Sequence, residues 1–180
     1  ELSLLQELLT RLGHPGLKVT AWDGSVVREA NLGRQRFRVH DLGSPKAHAL
    51  VSAENSYNGF DWVSKDDFNP ESSLPHSNGT PVIIITAVDV PSLRKRLGER
   101  LSNRPNANYL WIDAGNDHRT GQVILGGAGL PNAYDLFKDQ YANMEDDNKK
   151  SCSSEEALAK QDFGVNATAA RIVGQLLWKM

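Results

Sequence analysis

The sequence predicts a protein of the α/β class, with helices layered on a mostly parallel sheet. Three observations predict it. Helical and β-type runs alternate along the chain, the order that builds parallel sheets. The run Pro81–Val88 is apolar and β-branched on both alternations, the pattern of a central parallel strand covered on both faces. Two strands, 17–22 and 81–88, are each followed by an aspartate, Asp23 and Asp89, at the strand ends where such sheets bind ligands.

Each element has its own signal. Leu2, Leu4, Leu5, Leu8, Leu9 and Leu12 recur at helical spacing, so residues 2–12 form a helix with a buried face. Gly13 sits where a C-cap glycine belongs, and Pro15 stops the helix. Leu17–Trp22 reads as a strand ending at Asp23-Gly24. Ser44-Pro45 opens a helix over 45–56, because proline in the first turn loses no needed hydrogen bond. A short strand covers Asp61–Ser64, and the Asn, Pro, Ser, Gly and His cluster of residues 66–81 is a loop. After the 81–88 strand, Pro91-Ser92 begins a basic helix that ends near Ser102. Asn108–Ile112 is the next strand and runs out into Asp113-Ala114-Gly115-Asn116. Gly121–Leu125 follows across a short turn that suits an antiparallel return. Residues 126–152 are loop-rich with an acidic close, and 154–162 and 165–179 read as two final helices. Neither a repeat nor an internal domain boundary stands out.

Composition narrows the function classes. A chain of 180 residues, 39% hydrophobic and 23% charged, is globular. It can bury roughly 70% of its unfolded surface and needs no disulfide or metal to fold. Twenty basic against 22 acidic residues leave a net charge of −2, which excludes a generally nucleic-acid-coating protein. The longest apolar run, Val82–Ile85, is too short to span a bilayer. The single cysteine, Cys152, excludes an internal disulfide framework. The five histidines, His14, His40, His48, His76 and His118, have no ligand spacing, so no structural zinc is expected. The chain opens on Glu1 rather than Met, and its first stretch is amphipathic rather than a secretory signal. The expectation is a cytoplasmic protein whose beginning is absent.

Three groups of residues are candidates for chemistry. Asp23 suits the carboxylate that accepts hydrogen bonds from ribose hydroxyls, and Asp89 suits one that holds Mg²⁺ beside phosphates. Either aspartate equally well caps a turn or a helix start. The segment Arg28–Lys46 carries Arg28, Arg34, Arg36, Arg38 and Lys46 against Glu29 and Asp41, enough positive charge to neutralise a triphosphate. The second basic cluster, Arg94, Lys95, Arg96, Arg100 and Arg104, reads as a solvated helix face.

Together these segments resemble a known family. Ala21-Trp22-Asp23-Gly24, then Asn31-Leu32-Gly33-Arg34-Gln35, then Asp41-Leu42-Gly43-Ser44-Pro45-Lys46-Ala47 is similar to the adenylating core of the ThiF/MoeB/HesA family, which includes the ubiquitin-activating enzymes. Val88-Asp89 followed by Arg94 resembles the family's D-x-x-x-x-R after the central strand. Asp113-Ala114-Gly115-Asn116, Gly121–Gly126, Ser151-Cys152-Ser153, Glu156-Ala157-Leu158 and Gln161-Asp162 look like the branch found in the PRTRC cassette.

The resemblance implies a three-layer Rossmann-like fold with a mostly parallel central sheet, in one ThiF-type domain over 1–180. It implies that Asp23 binds ribose, that Asn31, Arg34 and Gln35 contact nucleotide and phosphates, that Lys46 reaches the phosphates and that Asp89 handles Mg²⁺-ATP. Arg94 either joins that site or braces the fold. The cofactors implied are ATP and Mg²⁺. The partner implied is a ubiquitin-like or sulfur-carrier β-grasp protein whose C-terminal glycine is adenylated, within a homodimer; neither nucleic acid nor membrane is expected.

The family's glycine-rich turn, whose backbone amides cradle phosphates, has no counterpart: the chain begins inside the first helix. Gly126-Gly127-Ala128-Gly129 follows the wrong strand. Ser25 stands where many relatives carry a second acid. Cys152, after Lys149-Lys150 and before a helix start, is a candidate thioester nucleophile. The alternative function is a non-catalytic scaffold that keeps the carrier-binding fold. A nucleotide-dependent oxidoreductase on a similar sheet would leave Arg34-Gln35 and Asp89 without a role.

Overall fold

The computed structural model describes residues 1–33, 35–75, 77, 79–103, 108–116, 120–143 and 164–180. The chain divides into two compact units. The first is Glu1–Phe68, and the second takes the described residues of Asn69–Lys150 and Gln161–Met180.

The first unit opens with helix α1, Leu2–Arg11. It closes as the glycine predicts: Gly13 takes φ +85°, its N–H bonds Thr10 O at 3.0 Å, and His14 N–H bonds Leu9 O at 2.9 Å. The expected buried face is only partly realised. Leu5 is buried, while Leu4, Leu8 and Leu12 stay exposed, because periodicity sets out a face but does not supply what covers it. Strand β1, Thr20–Trp22, pairs in parallel with β2, Val63–Lys65, from Thr20↔Val63 to Trp22↔Lys65. Between them runs helix α2, Lys46–Asn58, packed on both strands and closed by Gly59 at φ +70°. This is a βαβ crossover, which parallel pairing requires. Asn55 fastens it: its side chain donates to Trp62 O at 2.9 Å and accepts from Trp62 N–H at 3.1 Å. A small core of Val27, Phe37 and Ala49, with Leu32 against it, fills the loop between β1 and α2.

The second unit is a three-stranded sheet in the order β3-β4-β5. Strand β3 is Val82–Thr86, β4 is Tyr109–Asn116 and β5 is Gly121–Gly127. The β3–β4 pair is parallel and joined across helix α3, Pro91–Ser102; β4–β5 is antiparallel, from Leu110↔Gly127 to Asn116↔Gly121. Short helices α4, Ala133–Leu136, and α5, Lys138–Asn143, follow, and α6, Val165–Trp178, packs on β4 and β5. Leu97, Trp111 and Ile112 are the second unit's largest fully buried apolar side chains, and Trp111 and Ile112 lie on opposite faces of β4.

Several expectations are corrected. The 81–88 run is not a central strand: among the described residues β3 pairs with β4 alone, and Ile83 and Ile85 are each 37% exposed. Apolar composition reports a preference for burial, whereas pairing partners come from elsewhere in the chain. In place of one central sheet, the described residues form a parallel pair and a mixed three-stranded sheet. Strand β4 does not stop at Ile112 but continues through Asp113 to Asn116, paired on both sides as far as Asp113. Residues 133–143, read as loop, hold two short helices started by the Asn132 cap, which accepts from Asp135 N–H at 3.1 Å. The helix expected at 154–162 lies outside the described residues.

Candidate functional site

In the first unit, chemistry-bearing residues gather where β1 ends and α2 begins. Asp23 follows β1 directly and its N–H bonds Lys65 O at 3.2 Å, continuing the parallel ladder by one step. Its carboxylate accepts from Ser25 N–H at 2.9 Å and from the Ser25 hydroxyl, an Asx turn that fixes the carboxylate just beyond the strand. Ser25 O in turn accepts from Lys46 N–H at 2.9 Å. Val27 N–H bonds Ser44 O at 2.9 Å, and Val26 bridges Pro45. The backbone thus joins the turn bearing Asp23 to the first residue of α2.

The motif residues upstream of α2 explain that junction. Arg28–Asn31 and Arg38–Asp41 are two tight turns built the same way: the Asn31 side chain accepts from Arg28 N–H at 2.9 Å and the Asp41 carboxylate from Arg38 N–H at 2.7 Å. Asn31 is 7% exposed, so its carbonyl serves this turn. Gln35 N–H bonds Asn31 O at 3.0 Å, and the Gln35 side chain is exposed. Gly43, at φ +81°, makes the reversal that returns the chain to Val27 and leads through Pro45 into Lys46.

Lys46 is the first residue of α2, and no acid occupies the first turn. A cation at the positive end of a helix dipole is unfavourable unless an anion joins it. The first-turn amides that the helix cannot satisfy point the same way. Lys46, a helix start and a turn carrying Asp23 therefore make an arrangement suited to a phosphorylated, hydroxylated ligand. The structure adds a neighbouring carboxylate that the motifs do not include: Asp67, after β2, stands so close to Gly24 that a methyl group there would collide with its Oδ1. The parallel β1–β2 register brings it there; its place in the Lys65-Asp66-Asp67 run is the signal that the sequence carries.

In the second unit, Asp89 lies exposed in the loop between β3 and α3. Arg94, on the first turns of α3, does not lie on a solvated face. It is 17% exposed, its Nε is 3.3 Å from Asp113 Oδ1 and its Nη2 donates to Ala114 O at 3.0 Å. The Nε contact is ionic, without the alignment of a hydrogen bond. Asp113 is fully buried; its Oδ1 accepts from the Thr86 hydroxyl at 2.5 Å and its Oδ2 from Tyr141 Oη at 3.2 Å. Trp111 Nε1 donates to Thr86 Oγ1 at 2.8 Å. Burial, and then the Asp113 charge, push the Tyr141 phenol up to about 12. Arg96 pairs with Glu71 and bonds Asn69 Oδ1 at 3.0 Å, which removes a second cation from the free helix face. Residue order alone puts Asp113 just past a strand end; only the longer β4 places it on the same face as Trp111, in the interior.

Arg34 and Cys152, assigned phosphate-binding and thioester roles by resemblance, lie outside the described residues. Among the described residues no cluster of three His, Cys, Asp or Glu side chains could hold a metal by itself. No helix among them is long and apolar enough to cross a membrane.

No protein-family model matches the chain, and no curated protein matches it. Solved structures do. The crystal structure of E. coli MccB aligns with 96% of this chain at a TM-score of 0.58 and 18% identity. The chain shares its α/β fold with MccB. It spans half the length of MccB, 50%. The crystal structure of PaaA aligns with 86% of the chain and 53% of its own at a TM-score of 0.47 and 17% identity.

Proposed function

We propose that this chain is the nucleotide-binding part of an adenylating enzyme of the ThiF/MoeB/HesA type, acting on the C-terminal glycine of a ubiquitin-like or sulfur-carrier β-grasp protein. The observation that carries the reading is Lys46 at the start of α2, joined by backbone hydrogen bonds to the Asx turn of Asp23. The MccB-like fold supports it. The PRTRC-type branch, a three-layer Rossmann-like arrangement, a single ThiF-type domain and a homodimer belong to the same proposal and rest on the motifs; a cytoplasmic setting is proposed with them.

The donor chemistry fits ATP with Mg²⁺. Magnesium is usually held by one or two carboxylates plus phosphate oxygens rather than by a protein cage. The exposed carboxylate of Asp89 suits that mode. Lys46 and Arg34 balance phosphate charge, Asp23 accepts from the ribose hydroxyls, and Asn31 and Gln35 line the nucleotide. Bound Mg²⁺ neutralises charge on the phosphates. In the reaction a carboxylate oxygen of the carrier bonds to the α-phosphorus, the bond from that phosphorus to the bridging oxygen breaks, and pyrophosphate leaves. Cys152 is the proposed acceptor in a following step, in which its thiolate bonds to the carrier's carbonyl carbon, the bond from that carbon to the phosphate oxygen breaks, and AMP leaves.

Calorimetric titration with Mg²⁺-ATP of the wild type, Lys46→Ala and Asp89→Ala tests the reading. Binding that both substitutions weaken, together with carrier-dependent pyrophosphate exchange, supports the enzyme. Absence of nucleotide binding beside retained binding to a β-grasp carrier supports the scaffold instead.

A further inference from the structure

We infer that Asp113 is a positioning residue that fixes the Asp89 loop through Thr86 and Arg94; the inference rests on the reading of Asp89 as the Mg²⁺-ATP carboxylate. The segment between β3 and α3 is Ala87–Val90, with Asp89 inside it. Its upstream anchor is Thr86, whose hydroxyl donates to Asp113 Oδ1 at 2.5 Å. Its downstream anchor is Arg94, whose Nε lies 3.3 Å from the same oxygen and whose Nη2 bonds Ala114 O at 3.0 Å. The last residue of β3 and a residue one turn into α3 therefore both meet one carboxylate oxygen on the neighbouring strand, with the loop between them.

The tie is rigid at its base. Asp113 has no exposed surface, and its other oxygen accepts from Tyr141. Thr86 cannot rotate freely, because its oxygen also accepts from Trp111 Nε1, on a side chain 1% exposed. A buried carboxylate with these partners has one arrangement, and hydrogen-bonded networks of this kind specify a single geometry. Arg94 meanwhile fills the space beside Gly115, where a methyl group would meet its Nη1 at 3.2 Å. Arg94 thus braces the loop from behind through its contacts with Asp113 and Ala114.

The experiment is a double-mutant cycle read by calorimetry with ATP, in the presence of Mg²⁺ and of chelator. The variants are Asp113→Asn, Asp89→Ala and both together, on the full chain. Removing the partner that orients a metal-binding group typically costs 10–100-fold in metal affinity, so Asp113→Asn weakens Mg²⁺-ATP about tenfold and leaves metal-free ATP unchanged. In the Asp89→Ala background it has no further effect. A second pair guards against misfolding: Thr86→Ser keeps the hydroxyl and wild-type affinity, whereas Thr86→Val reproduces the loss. An equal loss with and without Mg²⁺, or additive losses in the double variant, overturns the positioning role alone. Full Mg²⁺-dependent binding in Asp89→Ala overturns the reading of Asp89, and this inference with it.

Discussion

Arg94 Nε stands 3.3 Å from Oδ1 of Asp113, a carboxylate with no exposed surface. The pair joins the first turns of α3 to the middle of β4, and its burial sets the size of the loss when either partner is removed.

Removing Asp113 leaves the Arg94 charge without its partner in a largely buried setting. Breaking a buried pair from one side costs about 3–5 kcal/mol. Asp113→Ala therefore lowers the urea midpoint strongly, and Arg94→Met lowers it too, because it leaves the fully buried Asp113 carboxylate without its cation. Equal midpoints for Asp113→Ala and the wild type would refute this account of the second unit.

Tyr141 gives a pH signature. Its phenol is pushed from 10.0 up to about 12 in the folded protein, chiefly by burial and then by Asp113. A group whose pKa is raised on folding contributes stability below its unfolded value and loses it as pH rises through the folded one. The second unit therefore weakens between about pH 10 and 12, and Tyr141→Phe flattens that dependence. Thermal melts across this range, beside a spectrophotometric tyrosine titration, are the check.

Glu71 gives the opposite sign. The hydrogen bond from Arg96 holds its carboxyl below the usual value of 4.5. Its contribution is present above that value and fades as pH falls through the folded one. The pair is exposed, so salt screens it. Carboxyl NMR titration should show Glu71 low in the wild type and returned to its ordinary value in Arg96→Gln and in high salt.

Lys46 separates stability from binding. A cation on the first residue of a helix is unfavourable by about 0.3–1 kcal/mol. Lys46→Ala is expected to raise the stability of the ligand-free chain by about that amount, while weakening Mg²⁺-ATP. A variant that loses both would mark Lys46 as structural.

Three glycines rank themselves by what surrounds them. Alanine at Gly98 would gain about 1 kcal/mol of helix propensity, but its methyl collides with Tyr134 Cβ. Overpacking costs about 1–3 kcal/mol, so Gly98→Ala is destabilising. Gly126→Ala is worse, because its methyl collides with backbone, at Pro131 O and Asn132 Cα. Gly24→Ala is the mildest, since it meets the end of the Asp67 side chain, which can turn away. Chemical denaturation of the three variants should follow that order.

The local elements are legible in residue order alone. Leucine spacing and Gly13 make α1, the 44–46 Ser-Pro-Lys run starts α2, and Pro91 starts α3; each depends on neighbours within a few residues, which composition records directly. Asp23 and Asp89 are placed beyond strand ends in the same way, because strand and loop differ sharply in residue type. Three features come only from the assembled chain: β3 pairs with β4 alone among the described residues, Arg94 turns inward, and Asp113 belongs to the interior. These depend on registers such as Thr86↔Asp113, between residues 27 positions apart. Local periodicity can report that a residue has a face to bury. It carries no record of which distant strand or helix will meet that face, and a buried charge is tolerated only where that partner arrives.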